Sequence, residues 1–371
     1  MASEQVTKKV NQKAAAEQHL RPHWIAVRSK YLPVSLKLDR RVPLMALAIL
    51  AFTLVVLVLS ISYGEYDISP VDVVRTLLGT LPQDHPEFRN YNLVVHTFRL
   101  PRILTAFLVG AALATSGAIM QGITRNPLAE PGILGVSAGA GLAAVSVIVW
   151  FKDVPISWLP WAAFGGALLT AIAIYTLSWK DGGSAPVRLI LIGVAFAAVL
   201  GSLTSFMLVF GDINDVQQAY VWLTGSVYGR NWEHVRTMSL WLLILLPIAI
   251  FSARQLNILN LGDEIARGLG MRVEAQRVLL LVISVALAAA AVAVAGTIGF
   301  VGLVAPHITR RLVGPSHDGM IPVTALFGGA LLVLADLIGR WIISPSELPI
   351  GIVTALIGAP YFMYLLYRYR N

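Results

Sequence analysis

Long uncharged stretches alternate with short polar connections along most of this chain of 371 residues. The clear stretches are 17 to 26 residues long, and a helix needs about 20 residues to cross the hydrocarbon core of a bilayer. Apolar residues do not alternate with a period of two over long distances, so transmembrane β-strands are disfavoured. An all-α polytopic membrane protein is therefore predicted, because a backbone in lipid must satisfy its own hydrogen bonds. The clear stretches are 42–62, 103–124, 131–151, 154–179, 189–211, 237–253, 319–335 and 348–367.

One further run, residues 278–309, is too long for an ordinary span and contains the turn-like sequence Gly296-Thr-Ile-Gly299. It is either one long tilted helix or two spans joined by a tight turn. With the basic N-terminal segment in the cytosol, a break places 20 Lys and Arg residues on the cytosolic side and 8 outside, against 17 and 11 without it. The positive-inside rule favours the break. We therefore predict ten transmembrane helices with both termini in the cytoplasm.

The two halves of this predicted bundle show faint similarity. A shift of 175 residues aligns Arg102 with Arg277 and Pro131 with Pro306, in spans that would run in opposite directions. This pattern indicates an inverted repeat of five plus five spans, although alanine-rich helices also align by chance. Small residues recur in spans two and three, which predicts close approach of helix backbones. They are Gly110, Ala114, Gly117 and Ala118, then Gly135, Gly139 and Gly141.

Composition and charge narrow the function classes. Apolar residues make up 57% of the chain and charged residues 13%, which excludes an ordinary soluble domain. Nine of the 28 basic residues lie in the first 41 positions. We expect residues 1–41 to be a basic, disordered cytosolic tail and residues 42–371 to be the transmembrane domain. No folded basic surface for nucleic acid is indicated, and without cysteine there is no thiolate chemistry.

Sequence motifs for ATP hydrolysis, metal binding or catalysis by this chain are either missing or occur in the wrong predicted structure. The sequence has no Gly-Lys dipeptide and hence no P-loop, so the chain is not predicted to hydrolyse ATP. No metal-ligand motif, catalytic residue or cofactor is predicted. Gly135-Val-Ser-Ala-Gly139 and His307 mimic a serine hydrolase, but that motif needs a strand-to-helix turn and this segment is predicted to be helical. Few buried charges are present, which argues against an ion-coupled secondary transporter.

Two charged features at the predicted membrane surfaces have competing interpretations. Arg99 and Arg102 lie at the outer mouth of span two, where Pro101 suits a first helical turn, and Arg340 lies at the outer end of span nine. They could receive carboxylates from a partner, or they could reach lipid headgroups, with Arg340 pairing to Asp336. The segment 261–270 is a short amphipathic helix on the cytosolic side. It could bind a soluble subunit or simply lie at the interface.

Several ordered motifs resemble those of the FecCD-type permeases, the membrane subunits of ABC importers for ferric siderophores, cobalamin and haem. The resemblance runs from about residue 42 to the end of the chain. The motifs are Arg99-Leu-Pro-Arg102, Gly110-Ala-Ala-Leu-Ala-Thr-Ser-Gly117, Gln121-Gly-Ile-Thr-Arg-Asn-Pro-Leu-Ala-Glu-Pro-Gly-Ile-Leu-Gly-Val136, Gly262-Asp-Glu-Ile-Ala-Arg-Gly-Leu-Gly270, Gly299-Phe-Val-Gly-Leu-Val-Ala-Pro-His-Ile-Thr-Arg-Arg311, Ala335-Asp-Leu-Ile-Gly-Arg340 and Glu347-Leu-Pro-Ile-Gly-Ile-Val-Thr-Ala-Leu-Ile-Gly-Ala-Pro360.

The resemblance implies import of a ferric siderophore across the bacterial plasma (inner) membrane, with cobalamin or haem as alternatives. It implies a second permease subunit, identical or paralogous, two cytosolic ABC ATPases and an extracytoplasmic binding protein. It also assigns roles to residues. It implies that Arg99, Arg102 and Arg340 bind the binding protein. It implies that the ATPase coupling helix comprises Leu261, Gly262, Asp263, Glu264, Ala266, Leu269 and Gly270. It implies that Ser202, Thr204 and Ser205 line the pathway or form its gate.

Overall fold

The computed structural model describes residues 24–28, 35–180 and 183–368. Helices dominate it, and short antiparallel pairs join strands β1 (Trp24–Arg28) to β2 (Ser35–Asp39) and β3 (Trp179–Lys180) to β4 (Gly183–Ser184). The helices are α1 (Arg41–Ser62), α2 (Pro70–Leu77), α3 (Phe88–Thr124), α4 (Val136–Trp150), α5 (Ile156–Ser178), α6 (Pro186–Val209), α7 (Ile213–Leu223), α8 (Trp232–Phe251), α9 (Ala253–Leu259), α10 (Asp263–Gly268), α11 (Val273–Ala295), α12 (Val301–Val313), α13 (His317–Ile342) and α14 (Ile350–Arg368).

The all-α membrane architecture predicted from the hydrophobic pattern is confirmed. Within the described part of the chain, eight helices are long and apolar enough to cross a membrane: α1, α3, α5, α6, α8, α11, α13 and α14. The shorter helices α4 and α12 occupy the positions of the third and eighth predicted spans. Each of the ten predicted spans thus corresponds to a helix.

The long run 278–309 is broken where the turn-like sequence predicted a break. Helix α11 ends at Ala295 and α12 begins at Val301, and Gly296 and Phe300 between them both have positive φ. The carbonyl of Ala295 accepts a hydrogen bond from the Ser226 amide at 2.7 Å, so the α11 terminus is held by the connection that follows α7. The run 278–309 is therefore two helices joined by a turn and not one long helix.

Two of the expected spans are shorter than their uncharged runs. Helix α12 has 13 residues, or about 20 Å, which is less than the hydrocarbon thickness. The predicted span 131–151 is interrupted at Gly135, whose φ of +65° separates a 3-10 turn at Pro131–Leu134 from α4. Apolar composition correctly predicted a helix in both regions, but it could not reveal where the backbone changes direction.

Pro101 lies in the first turn of the α-helical part of α3, Leu100–Thr124, as the sequence predicted, but α3 itself begins earlier. A π-helical stretch, Leu93–Arg99, joins Phe88–Asn92 to the α-helical part of α3. Proline removes one backbone donor and crowds the carbonyl of the preceding turn in a regular α-helix. The wider π-helical turns just before it shift the hydrogen-bonding pattern and let the helix continue.

The centre of the bundle is formed by α3, α11 and α13, which are mostly buried, whereas α1, α5, α6, α8 and α14 have few buried residues in the isolated chain. Helices α3 and α11 meet at Ser116 and Ser284, whose hydroxyls each donate to the other residue's carbonyl at 2.6 and 3.0 Å. A side chain at Gly117 would begin 1.9 Å from the carbonyl oxygen of Gly302. The prediction of close packing through small residues is therefore confirmed.

The N-terminal tail is described only in part. Strands β1 and β2 pair in register from Trp24 with Asp39 to Arg28 with Ser35, and residues 1–23 and 29–34 lie outside the described residues. The division into a disordered tail and a transmembrane domain stays a prediction. The 175-residue inverted repeat also stays a prediction.

Candidate functional site

Two of the arginines singled out in the sequence bind the C-terminal end of α1. That helix has no basic residue in its last turn, so its final carbonyls need donors from elsewhere. The guanidinium groups of Arg99 and Arg340 supply them, and Arg340 is buried while Arg99 is half-buried. The positive groups also match the negative end of the helix dipole. The carbonyl acceptors belong to Ser60, Ile61, Ser62, Tyr63 and Tyr66.

The third arginine joins an alternating chain of charges. Nε and Nη2 of Arg102 donate to Oδ1 of Asp336 at 3.0 and 2.8 Å, while Nε of Arg340 donates to Oδ2 of the same carboxylate at 3.1 Å. On its other side, Nη1 of Arg102 donates to the Glu347 carboxylate at 2.8 and 3.1 Å. The Arg102 guanidinium also lies 5.7 Å from the Tyr228 ring centre, a cation–π distance. We call Arg99, Arg102, Asp336, Arg340 and Glu347 the Arg102 cluster.

The structure thus brings Arg99, Arg102 and Arg340 together at one end of the bundle. The local pair of Arg340 with Asp336, considered from the sequence, is present at 3.1 Å. Because the side chain of Asp336 is only 1% exposed, two arginine partners offset the cost of burying its charge. Docking of a partner on these arginines stays a prediction.

A second charged cluster lies at the opposite end of α3. Arg277, in the first turns of α11, donates through Nη2 to Oδ2 of Asp263 at 2.8 Å and through Nη1 to the carbonyl of Ser184 at 2.9 Å. Arg277 also pairs with Glu274, and Arg125 reaches Oδ1 of Asp263 at 3.2 Å. We call Arg125, Asp263, Glu274 and Arg277 the Arg277 cluster. Arg102 and Arg125 are separated by about 35 Å along α3.

The Arg277 cluster fixes the amphipathic segment predicted at 261–270. Its helical part, α10, lies between Gly262 and Gly270, whose φ values of +108° and +83° are readily adopted only by glycine. Ala266 is buried against the bundle, and Asp263 starts the helix. Burial opposes ionisation of Asp263, but the hydrogen bond and charge of Arg277 outweigh it and lower the pKa of that carboxyl. The side chains that point away from the bundle include Leu261, Ile265 and Leu269.

The predicted pathway residues lie on a helix with little contact inside this chain. Ser202 and Ser205 are exposed on α6, three residues apart and hence on one face, and Thr204 is half-buried. The hydroxyls of Ser202 and Thr204 donate to the carbonyls of Ala198 and Leu200 at 2.9 and 2.8 Å. A face of this kind suits a second subunit or the pathway, and the assignment stays a prediction.

The serine-hydrolase pattern lacks its required backbone. Ser137 lies in the first turn of α4, and the residues before it form a 3-10 turn. The nucleophile elbow instead needs a strand leading into the helix.

Two partners in these clusters were not foreseen. Glu347 belongs to a motif that was quoted for its resemblance, yet nothing near it in the sequence pointed to Arg102. Arg277 appeared only as the repeat-related counterpart of Arg102. Both arginines bind an aspartate, Asp336 and Asp263, at opposite ends of the bundle. The 175-residue alignment was therefore the one signal that could have identified the second cluster.

Comparison with known proteins assigns the family. The model of the FecCD transport family matches residues 52–368. The chain belongs to the FecCD transport family. It is 47% identical over 327 residues to the Fe(3+)-citrate import system permease YfmE of Bacillus subtilis, covering 87% of this chain and 95% of that protein. It is 42% identical over 336 residues to the iron(3+)-hydroxamate import system permease FhuG of the same organism, covering 88% and 97%.

A solved structure agrees with this FecCD assignment. A metal-chelate type ABC transporter in an inward-facing conformation superposes with a TM-score of 0.78 at 33% sequence identity, covering 88% of this chain and 99% of that chain. Together with the transmembrane helices, the FecCD assignment identifies the chain as a membrane-embedded permease of the ABC importer class. The resemblance stated from the sequence motifs is confirmed.

Proposed function

We propose that this FecCD permease carries a ferric siderophore across the bacterial plasma membrane into the cytoplasm. The observation that carries the proposal is membership of a family whose similar members above are named for ferric citrate and ferric hydroxamate. Cobalamin or haem is the alternative substrate class, and it has weaker support because both of those relatives carry iron(3+) chelates.

The energy for transport comes from two ABC ATPases that bind α10. Exposed Leu261, Ile265 and Leu269 provide an apolar surface for such a subunit, while buried Ala266 and the pair of Asp263 with Arg277 hold the helix to the bundle. A rigidly attached helix transmits a push from its partner to α11. On this proposal α10 faces the cytosol and both chain termini lie on the same side.

The Arg102 cluster then lies at the extracytoplasmic face, where a binding protein delivers the substrate. Three arginines near one another suit carboxylates on that protein. A second permease subunit, identical or paralogous, completes the pathway beside the exposed face of α6 that carries Ser202 and Ser205.

Uptake in a bacterial host without its own siderophore permeases tests the proposal. The chain is expressed with a candidate ATPase, binding protein and second permease, and uptake of a radiolabelled ferric siderophore is measured. Uptake should require an intact P-loop lysine in the ATPase and should be inhibited by excess unlabelled chelate but not by cobalamin. Uptake that survives loss of the ATPase but stops when the proton gradient is dissipated would instead indicate a secondary transporter.

A further inference from the structure

The three arginines at the proposed docking face differ in what they already bind. Arg99 donates to carbonyls at the end of α1, and Arg340 donates to carbonyls there and to Asp336. These acceptors belong to the backbone or to a buried carboxylate. Exchanging them for a partner's carboxylate would leave the end of α1 or Asp336 without donors, which is costly.

One donor group of Arg102, Nη1, binds an acceptor that a carboxylate from another protein could replace. Its Nε and Nη2 bind Asp336, but Nη1 binds Glu347, whose side chain is 32% exposed. An ion pair is weakened where water reaches one of its partners, because solvent screens the attraction. A carboxylate from outside can therefore take the place of Glu347 with little loss, because it supplies the same acceptor oxygens to Nη1.

The remaining contacts of Arg102 hold its guanidinium ready for such an exchange. The buried Asp336 fixes one edge of the group, and the ring of Tyr228 lies against its face. Arginine loses less freedom on binding when its planar group is already oriented. Nη1 would thus keep its position while its acceptor changes.

Glu347 also lies in the connection between α13 and α14, three residues before α14 begins. The next residue, Leu348, donates from its amide to the carbonyl of Gly339 at 3.0 Å, and the amide of Gly351 donates to the carbonyl of Gly225 at 3.1 Å. The connection is therefore bound to α13, and the first turn of α14 is bound to the segment after α7. Release of Glu347 would remove one of the contacts that hold the start of α14.

We propose that Glu347 is an internal substitute for the docking partner's carboxylate. A carboxylate-bearing binding protein would dock by displacing Glu347 from Arg102, and the displaced residue would loosen the connection that leads into α14. The inference rests on the proposed function, since it assumes that this face receives a binding protein. It singles out Arg102 as the arginine whose present acceptor is exchanged most readily, while Arg99 and Arg340 also hold the end of α1.

Binding of a fluorescent hexaglutamate peptide to the full chain in lipid nanodiscs tests the exchange without ATPase or substrate. At low salt, Glu347→Gln should bind this peptide about two- to fivefold more tightly than the original chain, because the internal competitor is gone. Glu65→Gln is the matched control, since it removes one exposed acid from the connection after α1. The gain should disappear in the double variant Arg102→Gln with Glu347→Gln.

The response of the α13–α14 connection provides the second measurement. Because the chain has no cysteine, a single spin label can be placed at exposed Ser346 with Ser346→Cys. Hexaglutamate should raise the label's mobility towards that of the Glu347→Gln variant, and hexaglutamine should not.

Equal affinity gains in Glu347→Gln and Glu65→Gln would overturn the proposal, because they would indicate a general charge effect. An affinity gain that persists in the double variant without Arg102 would also overturn the proposal. The same holds if hexaglutamate binds none of the variants, or if the mobility of the label at position 346 does not change. Exchange observed in a chain that fails to import siderophore would refute the proposed function and leave the role of Glu347 standing.

Discussion

The Arg102 and Arg277 clusters are built from the same residue types but differ in which charge is buried most deeply. In the first, the acid Asp336 is 1% exposed and Arg102 is 13% exposed. In the second, Arg277 is 2% exposed and its acidic partners Asp263 and Glu274 are 25% and 21% exposed. The most deeply buried charge is thus a carboxylate at one end of the bundle and an arginine at the other.

On the proposed function, this difference bears on what each end binds. A buried acid that holds arginines leaves a surface suited to anionic partners. A buried arginine that holds acids anchors a helix, and the proposed ATPase would contact the exposed apolar residues next to it. The first cluster is suited to exchanging a ligand, and the second to staying intact while force passes through it. The predictions below test this division.

Removal of the buried acid should have the largest effect. Asp336→Ala leaves Arg102 and Arg340 without their shared carboxylate, and breaking a buried ion pair costs about 3–5 kcal/mol. We expect a large drop in the thermal unfolding temperature, which is measured in detergent by tryptophan fluorescence. Glu347→Ala removes the more exposed acidic partner of Arg102 and should lower the unfolding temperature far less. Equal losses would show that the two acids are not distinguished by burial.

The exposed surface of α10 should matter next. Leu269→Ser removes an exposed apolar side chain, and burial of a leucine in an interface contributes about 1.5–3 kcal/mol. Affinity of the purified permease for its ATPase should fall about tenfold or more, with thermal stability unchanged. Val71→Ser, a similar change on α2, is the control. An unchanged ATPase affinity in Leu269→Ser would contradict the docking role of α10.

Loss of the buried arginine should separate transport from ATP hydrolysis. Arg277→Gln leaves Asp263 with Arg125 as its remaining ion-pair partner and loosens α10 from α11, so ATPase docking should persist while transmission fails. Substitutions along such a coupling route change it by about 0.5–2 kcal/mol, or roughly 2- to 30-fold in the ratio of uptake to ATP hydrolysed. Exposed Arg272→Gln, a charge removed just before α11, should leave that ratio intact. A normal ratio in Arg277→Gln would mean that coupling bypasses this contact.

The sequence predicted spans better than it predicted partners. Hydrophobic runs and the charge count located the long apolar helices of the described residues and the break after Ala295, because both depend on local composition and membrane polarity. They could not reveal that Glu347 meets Arg102 or that Asp263 meets Arg277. Those contacts join residues far apart in the chain, and only the packing of α3, α11 and α13 decides them. The exposure difference between the clusters was hidden for the same reason.

The smallest expected effect concerns pH at the Arg277 cluster. Arg277 lowers the pKa of Asp263 below its ordinary value, which is about 3.9 for an aspartate in an unfolded chain. Because the folded state favours the ionised form, Asp263 contributes stability above that value and loses it as the pH falls through the lower folded pKa. The difference in unfolding temperature between the original chain and Asp263→Asn should therefore stay constant from about pH 7.5 to 5 and shrink only in stronger acid. A difference that already shrinks near pH 6 would show that the buried arginine does not control this carboxyl, and the contrast between the two ends would lose its electrostatic basis.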